Sequence, residues 1–293
     1  MRVCETVESF RQACDELRQR SSTVGLVPTM GALHVGHTSL MRRAREDGCC
    51  TAVSIFVNPT QFGPNEDYQR YPRTLEADLD LCKGEGVELV FVPSVAEMYP
   101  HGDRVRVTVS RLSDGLCGAS RPGHFDGVAT VVTKLFTAAG PCVAYFGRKD
   151  YQQYRVVEGM AHDLLLPVRV VGCSTVREPD GLALSSRNRY LSVDERARAL
   201  AIARGLHRAA LAFASGQRAA QKLLSLVRAS LVQSDLREDY VALRDPVELE
   251  PLEDVEDLPD QVLLAVAAFC GTTRLIDNVV LGEEPAPAVV GAP

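Results

Sequence analysis

The sequence predicts an α/β protein with a parallel β-sheet covered by helices on both faces and a smaller α+β domain after it. Through the first 175 residues, short apolar, β-branched segments alternate with longer helical patterns, an order typical of buried parallel strands separated by helices. After about residue 176, two helical stretches precede runs typical of antiparallel strands. We therefore expect one domain over 1–175, a second over 176–282, and a disordered tail over 283–293.

Five strands are predicted in the first domain, where five short apolar runs are separated by turn residues or helical patterns. These runs are Thr23–Pro28, Thr51–Val57, Glu88–Val92, Cys142–Phe146 and Val168–Gly172. Helical spacing of apolar residues predicts helices over Gly36–Asp47, Thr74–Gly84, Asp126–Ala139 and Tyr151–His162. The first 20 residues are also helix-periodic, and the alternating segment Arg104–Ser110 predicts an accessory strand.

In the second domain, the sequence predicts two helices followed by three antiparallel strands. The helices cover Val193–Ala214 and Gln217–Val232, and the strands cover Tyr240–Leu243, Val262–Phe269 and Thr273–Leu281. The tail that follows reads EEPAPAVVGAP, a composition that offers little apolar surface to bury.

The composition excludes several classes of protein. Hydrophobic residues make up 46% and charged residues 24% of the 293 residues, the balance of an ordinary globular protein. The net charge of −6 argues against a nucleic-acid partner, and no apolar stretch approaches the roughly 18 residues that span a bilayer. The N-terminus is charged and lacks an apolar signal-peptide core, so we expect a cytoplasmic protein that acts on small molecules.

The nine cysteines predict neither a disulfide framework nor a metal site. Their number is odd, none form a CxxC pair, and several lie inside apolar runs. We expect them to be small buried hydrophobic residues in a reducing compartment. No protein ligand is assigned to a metal.

The sharpest motif is VGLVPTMGALHVGHTSL, over residues 24–40. A buried strand runs into a loop that contains Gly31, and the string HVGH, from His34, then opens a helix. Helix N-termini attract phosphate because unpaired N–H groups and the helix dipole point at it. Two imidazoles there add donors for charge that builds up on a phosphate, and Gly36 lets an adenine ring lie against the backbone. The motif predicts a nucleotide site.

A second polar segment, FVNPTQFGPNEDYQRYPR, leaves the end of the second predicted strand. Asn58 and Gln61 are neutral amides that can pair with hydroxyl and carboxylate groups without adding charge. The alternative is a polar loop built on its turn residues. Because the segment follows a strand, it falls on the same edge of the sheet as the histidine motif.

The third segment, YFGRKDYQQ, also joins a strand end to a helix. Gly147 permits close approach of a ligand, Lys149 offers a charge for phosphate, and Asp150 suits an N-cap or a ribose hydroxyl. Gln153 lies on the same helical face as Asp150. The alternative is a capped helix with solvated charges.

The fourth segment, VREPDGLALSSRNRYL, precedes the second domain. Ser185, Ser186 and Arg187 form a hydroxyl and guanidinium cluster suited to polyphosphate, and Gly181 in a Pro-Asp-Gly turn suggests a hinge. We interpret the segment as a lid over the triphosphate, with an interdomain linker as the alternative. A fifth segment, RPGHFDGV, carries His124 into a helix and either shapes the pocket or caps that helix.

Taken together and in this order, five strings resemble the pantothenate synthetase family of HxGH nucleotidyltransferases. They are PTMGALHVGH, NPTQFGPNEDYQRYPR, RPGHFDGV, GRKDYQQ and LALSSRNRYLS. The resemblance implies a Rossmann-like fold with a C-terminal lid domain, usually as a homodimer. It also implies the reaction: ATP, (R)-pantoate and β-alanine give pantothenate, AMP and pyrophosphate through a pantoyl adenylate, with Mg2+ required.

The resemblance also implies site residues. His37 stands where the family has its catalytic acid, Gln61 should contact pantoate and the β-alanine position, and Gln153 should contact pantoate. Contacts with ATP are implied for Met30, Gly31, His34, Gly36, His37, Gly147, Lys149, Asp150, Val176, Leu184, Ser185, Ser186 and Arg187. Two positions depart from the family: Leu184 stands where Met is common, a swap of similar volume, and Arg148 stands where many members have an acidic or neutral residue.

The residues suggest how the first step would work. A carboxylate is ionised at neutral pH and needs no general base, so the site must align it with the α-phosphate and neutralise developing charge. We assign that task to His34, His37, Lys149 and Arg187, together with the two serines and Mg2+. Protonated His37 would donate to the departing pyrophosphate.

Three other interpretations remain open to the sequence alone. Another HxGH enzyme could transfer a nucleotide to a phosphorylated acceptor, although the amides Asn58, Gln61 and Gln153 better suit a hydroxy acid. Aminoacyl-tRNA synthesis would need a tRNA-binding module that the short acidic chain lacks. A catalytically silent nucleotide-binding scaffold could have lost His34, Lys149 or Arg187, yet all three are present.

Overall fold

The structure, a computed structural model, describes residues 1–64 and 66–289, and the chain folds into two compact units. The N-terminal unit comprises Met1–Ser113, Arg121–Arg148 and Gln153–Ser174. The C-terminal unit comprises Asp114–Ser120, Lys149–Gln152 and the chain from Thr175 onward. The sequence placed a single boundary after residue 175, so it did not anticipate the two short segments that belong to the C-terminal unit.

The N-terminal unit is built on a parallel sheet. Within the described residues its strands are β1 (Arg2–Cys4), β2 (Val24–Thr29), β3 (Cys50–Ile55), β4 (Leu89–Phe91), β5 (Cys142–Gly147) and β6 (Val168–Cys173). They lie in the order β1-β4-β3-β2-β5-β6, and every neighbouring pair is parallel. The α-helices along this part of the chain are α1 (Val7–Gln19), α2 (Val35–Glu46), α3 (Leu75–Gly84), α4 (Val95–Met98), α5 (Cys117–Ser120), α6 (His124–Ala139) and α7 (Tyr151–Asp163).

Helices cover both faces of the parallel sheet. On one face Phe10 of α1 stacks on Phe91 of β4 with ring centroids 4.6 Å apart, and Phe136 of α6 meets Phe146 of β5 edge-on. On the other face Met41 of α2 and the other apolar side chains of α2 and α3 pack into a core with alternate residues of the strands. Because side chains alternate across a strand, near-continuous apolar strands supply both cores. The predicted α/β class is confirmed.

The C-terminal unit has the predicted α+β character. Its helices and strands are α8 (Val193–Ala214), α9 (Ala220–Gln233), β7 (Arg237–Arg244), β8 (Val262–Cys270) and β9 (Thr273–Leu281). The three strands form an antiparallel sheet in the order β7-β8-β9. Leucines of both helices, including Leu206 and Leu223, are completely buried in a core with this sheet.

Three local features differ from the sequence prediction. The first residues form β1 on the sheet edge instead of helix. The sequence did not predict this strand because three residues are too few to show a strand pattern. Arg104–Ser110 is not a strand: Val105 is 70% exposed, and Val107 N donates to Thr130 Oγ1 instead of to a neighbouring strand. In the described part of the tail, Pro287 is buried and its carbonyl accepts from His207 Nδ1, where the sequence predicted disorder. The rest of the predicted disordered tail, residues 290–293, lies outside the described residues.

The cysteines are buried, as the sequence predicted. All nine lie in the described part of the chain, where eight are buried free thiols and Cys50 is half-buried. Burial raises the pKa of Cys14, Cys82 and Cys142 to about 12, so these thiols stay protonated and unreactive at neutral pH. Across residues 1–64 and 66–289, no helix has the length and apolarity needed to cross a bilayer.

Candidate active site

The loop that follows β2 is anchored by a buried carboxylate that the sequence did not single out. Asp78 of α3 accepts hydrogen bonds from Ala32 N at 3.0 Å and Leu33 N at 2.8 Å, and it is 3% exposed. Gly31 has φ +79°, and a Cβ there would lie 3.0 Å from Asp78 Oδ2. The loop therefore needs glycine for both its backbone angle and its closeness to α3.

The two histidines form the N-terminal cap of α2. His34 Nδ1 accepts from Gly36 N at 3.1 Å, and His37 Nδ1 accepts from His34 N at 3.3 Å. A backbone N–H can only donate, so each Nδ1 carries the lone pair, and the proton of each neutral ring is on Nε2. The ring centroids are 4.1 Å apart. The local fold thus fixes two Nε2–H donors at a helix N-terminus.

The side chain of Asn58, after β3, is hydrogen-bonded to other groups of the protein. It is 1% exposed; its amide donates to Gln61 Oε1 at 2.9 Å and to Gly127 O at 3.1 Å. Its carbonyl oxygen accepts from Tyr99 Oη at 2.7 Å and Thr60 Oγ1 at 3.0 Å. Burial raises the pKa of Tyr99, although the Thr60 hydrogen bond opposes this, so Tyr99 remains a donor. Asn58 therefore organises the turn and holds Gln61.

Gln61 connects two of the predicted segments. Its Oε1 accepts from Asn58, and its Nε2 lies 3.2 Å from Met30 Sδ, in the loop after β2. Since β2 and β3 are neighbouring parallel strands, the loops that follow them leave the same edge of the sheet. The structure thus brings the histidine motif and the amide motif together, as the sequence predicted.

The segment RPGHFDGV supports this turn and also supplies the N-cap residue of its helix. The N-cap of α6 is Gly123, which makes no side-chain cap hydrogen bond. His124 Nδ1 instead donates to Gln61 O at 2.8 Å. A Cβ at Gly127 would lie 2.4 Å from Thr60 O, so only glycine lets α6 approach the Pro59–Gln61 turn.

At the end of β5 the predicted residues are divided between the two units. Gly147 belongs to the N-terminal unit with half-buried Gln153, and Lys149 and Asp150 belong to the C-terminal unit. Lys149 Nζ lies 3.8 Å from Asp150 Oδ2. Lys149 O accepts from Asn278 Nδ2 of β9 at 2.8 Å, a contact that nothing in the local sequence indicates.

The Ser-Arg segment, residues 176–191, is held by hydrogen bonds and an ion pair within the C-terminal unit. Val176 O accepts from Leu184 N at 2.9 Å, and Ser185 Oγ accepts from Arg187 N at 3.3 Å at the start of a 3-10 turn, Ser186–Tyr190. Arg177 makes a two-pronged ion pair with buried Asp277 of β9 at 2.6 and 3.0 Å.

Gly181, which we interpreted as a hinge, lies under the tail. It has φ +100°, and a Cβ there would lie 2.5 Å from Ala288 O. Glycine is therefore required there for its backbone angle and for close packing. The motion of Gly181 stays a prediction. The placement beside the histidines also stays a prediction for Lys149, Asp150, Val176 and Leu184–Arg187.

The parallel sheet of the N-terminal unit and the two histidines that cap the helix after β2 are the features of a Rossmann-like enzyme of the HxGH type. A family model described as Pantoate-beta-alanine ligase matches residues 2–280. The chain belongs to the pantoate–β-alanine ligase family, and it is a ligase that joins pantoate to β-alanine with consumption of ATP.

The chain is similar in sequence to individual members of the family along nearly their full length. The chain is 50% identical to the pantothenate synthetase of Thermotoga petrophila, over 96% of this chain and 100% of that protein. It is 53% identical to that of Myxococcus xanthus, over 96% of this chain and 97% of that protein.

Solved structures show the same fold. The pantothenate synthetase of Thermus thermophilus superposes with a TM-score of 0.90 at 46% identity, over 96% of this chain and 99% of that one. The pantoate–β-alanine ligase of Francisella tularensis, crystallised as a complex with Beta-gamma ATP and Beta-alanine, has a TM-score of 0.76 at 32% identity, over 97% and 99%.

Proposed function

We propose that the chain condenses (R)-pantoate with β-alanine in two steps on one nucleotide site. The pantoate carboxylate attacks the α-phosphorus of ATP, the bond to the β-phosphate oxygen breaks, and pyrophosphate leaves. The β-alanine amine then attacks the acyl carbon of the pantoyl adenylate and AMP leaves. The observation that supports this proposal is the pair of histidine rings that cap the N-terminus of α2, in the motif whose Met30 contacts Gln61.

In the first step, we assign charge neutralisation to His34, His37, Lys149 and Arg187. The pantoate carboxylate is already ionised at neutral pH, so alignment and electrostatics are what the protein must supply. His37 need not be protonated as a cation to donate, because its Nδ1 already accepts from His34 N and its Nε2–H faces away from that bond. The neutral ring can thus make the donation that the sequence suggested for an imidazolium, and the protonation state of His37 during turnover stays a prediction.

In the substrate site, Gln61 and Gln153 would hold pantoate, with Gln61 also next to the β-alanine position. Asn58 would act through Gln61, since its own amide and carbonyl groups pair with protein atoms. Neutral amides suit a hydroxy acid because they pair with both its hydroxyl and its carboxylate.

The ATP site would combine the segments after β2, β5 and β6. We assign to it Met30, Gly31, His34, Gly36, His37, Gly147, Lys149, Asp150, Val176, Leu184, Ser185, Ser186 and Arg187. Closure of the Ser-Arg segment would exclude water from the mixed anhydride.

Mg2+ is proposed to arrive on the phosphates. Within residues 1–64 and 66–289, no group of three His, Cys, Asp or Glu side chains could hold a metal ion, and Asp78, near the site, is occupied by Ala32 N and Leu33 N. Mg2+ in such enzymes is usually held by substrate phosphates with few protein ligands, and there it would neutralise part of the phosphate charge. We further propose a cytoplasmic homodimer, in line with the family resemblance.

Pantoate-dependent exchange of labelled pyrophosphate into ATP tests the first step without β-alanine. We expect His34→Ala or Lys149→Ala to slow this exchange by about 100-fold or more, the loss typical of removing one such donor. A purified, folded variant with near-normal exchange would contradict the assignment of that residue.

A further inference from the structure

A row of three side chains behind the Gln61 turn ends on the backbone of Gln61. Arg121 makes a two-pronged ion pair with Glu66, at 2.7 Å from Nε and 2.6 Å from Nη2. Arg121 Nη1 lies 3.0 Å from His124 Nε2, and His124 Nδ1 lies 2.8 Å from Gln61 O. These residues come from two separate stretches of the N-terminal unit.

The hydrogen-bond roles along this row are set by chemistry. A guanidinium can only donate, so His124 Nε2 accepts from Arg121. A carbonyl oxygen can only accept, so His124 Nδ1 donates to Gln61 O. The ring is thereby held as the neutral Nδ1–H tautomer, opposite to that of His34 and His37, and its orientation follows from the Arg121–Glu66 pair.

The row therefore acts on the main chain of Gln61, and Asn58 acts on the side chain. Asn58 Nδ2 donates to Gln61 Oε1 at 2.9 Å, and Tyr99 Oη donates to Asn58 Oδ1 at 2.7 Å. With the backbone oxygen and the amide oxygen both held, the remaining donor, the Gln61 amide nitrogen, has its direction set. Small displacements of a positioning group can cost large factors in binding or rate.

We propose that Glu66, Arg121 and His124 are positioning residues for the hydroxy-acid substrate, acting through the backbone of Gln61 and not on ATP. This inference rests on the proposed contact between Gln61 and pantoate. It assigns a specific task to the RPGHFDGV segment, which packs against the Gln61 turn.

Two matched substitutions of His124 separate its two bonds. The amide nitrogen of asparagine can occupy the place of Nδ1 and donate to Gln61 O, whereas the amide oxygen of glutamine reaches the place of Nε2 and accepts from Arg121. Pantoate and ATP KM values in the exchange reaction, with thermal unfolding of each variant, are the measurements. We expect His124→Gln to raise the KM for pantoate about tenfold with the KM for ATP within about twofold, and His124→Asn to recover most of the loss.

The ion pair provides a second test with a matched control. Arg121→Lys cannot make the two-pronged pair and should raise the KM for pantoate several-fold. Arg42 makes the same kind of pair with Glu85, at 2.8 and 2.5 Å, on an exposed surface of the same unit. We expect Arg42→Lys to leave both KM values unchanged.

Gln61→Ala separates failure of this inference from failure of the proposed function. If Gln61→Ala leaves the KM for pantoate unchanged, the proposed substrate contact is wrong and the inference falls with it. If Gln61→Ala raises that KM but His124→Gln and His124→Asn are equal, or raise both KM values alike, the positioning role alone is overturned.

Discussion

In the proposed site, each of the two helix-cap histidines would combine a structural and a chemical task in different atoms of one ring. Nδ1 of His34 caps α2 by accepting from Gly36 N, and its Nε2–H is the group assigned to the phosphate. The motif predicted from sequence that the histidines would open the helix. It could not predict which nitrogen carries the proton, because this depends on the backbone geometry of the cap.

His34→Asn should separate these two tasks. Asparagine is among the best N-cap residues and can still accept from Gly36 N, but it has no donor at the place of Nε2. We expect the unfolding temperature of His34→Asn to stay near that of the parent and its pyrophosphate exchange to fall about 100-fold. His34→Ala should lose the same activity and, in addition, about 1 kcal/mol of stability. Normal exchange by His34→Asn would show that Nε2 is not used.

Glu66 makes the stability of the protein depend on pH, with a defined sign. Burial alone would raise its pKa, but the hydrogen bonds and charge of Arg121 outweigh burial and hold the pKa of Glu66 below its ordinary value of 4.5. A carboxylate with a lowered folded-state pKa stabilises the protein above its unfolded pKa, and this contribution is lost as pH falls through the folded pKa.

We therefore expect Glu66→Gln to weaken the fall in stability below about pH 4.5. Thermal unfolding between pH 7 and pH 3 measures it: the difference between parent and variant should be largest at neutral pH and shrink in acid. A difference that is constant across this range would contradict the role of the Glu66 charge.

At the scale of elements, the approach of α6 to the turn after β3 decides where Gln61 lies. A Cβ at Gly127 would lie 2.4 Å from Thr60 O and 2.7 Å from Gln61 Cα. Such contacts are impossible, so any side chain there must move the helix or the turn. The sequence offered GHFDGV as a helix start, but the closeness of a turn about 65 residues earlier can be read only from the fold.

Gly127→Ala is expected to displace the turn and raise the KM for pantoate by tenfold or more, with a measurable loss of stability. Gly84→Ala is the matched control, because a Cβ at this glycine at the end of α3 would meet no described atom within 4 Å. Since alanine has the higher helix propensity, Gly84→Ala should keep both kinetics and stability. Unchanged pantoate kinetics in Gly127→Ala would contradict the packing account.

The strand β9 joins segments that the sequence treats as independent. Asp277 holds Arg177 at the base of the Ser-Arg segment, and the next residue, Asn278, holds the carbonyl of Lys149. Neither contact could be predicted, because each joins residues 100 or more positions apart. Sequence motifs indicate the candidate ligand-binding groups. The residues that hold those groups in place show no local sequence pattern.

At the scale of the whole molecule, periodicity predicted the fold class well because buried parallel strands are apolar along their whole length. It failed where length or context decided the outcome. The three residues of β1 are too short to show a period, and Arg104–Ser110 alternates but lacks a ladder partner among the described strands. The two short segments that join the C-terminal unit, Asp114–Ser120 and Lys149–Gln152, depend on long-range contacts.

In the proposed function, the chain activates a hydroxy acid with ATP before it reacts with β-alanine. Mass spectrometry of the products, with each substrate omitted in turn, tests this claim most directly. We predict pantothenate, AMP and pyrophosphate only when ATP, (R)-pantoate and β-alanine are all present, and pantoyl adenylate with pyrophosphate when β-alanine is left out. Formation of ADP and phosphate, or turnover of ATP to AMP without pantoate, would contradict the account.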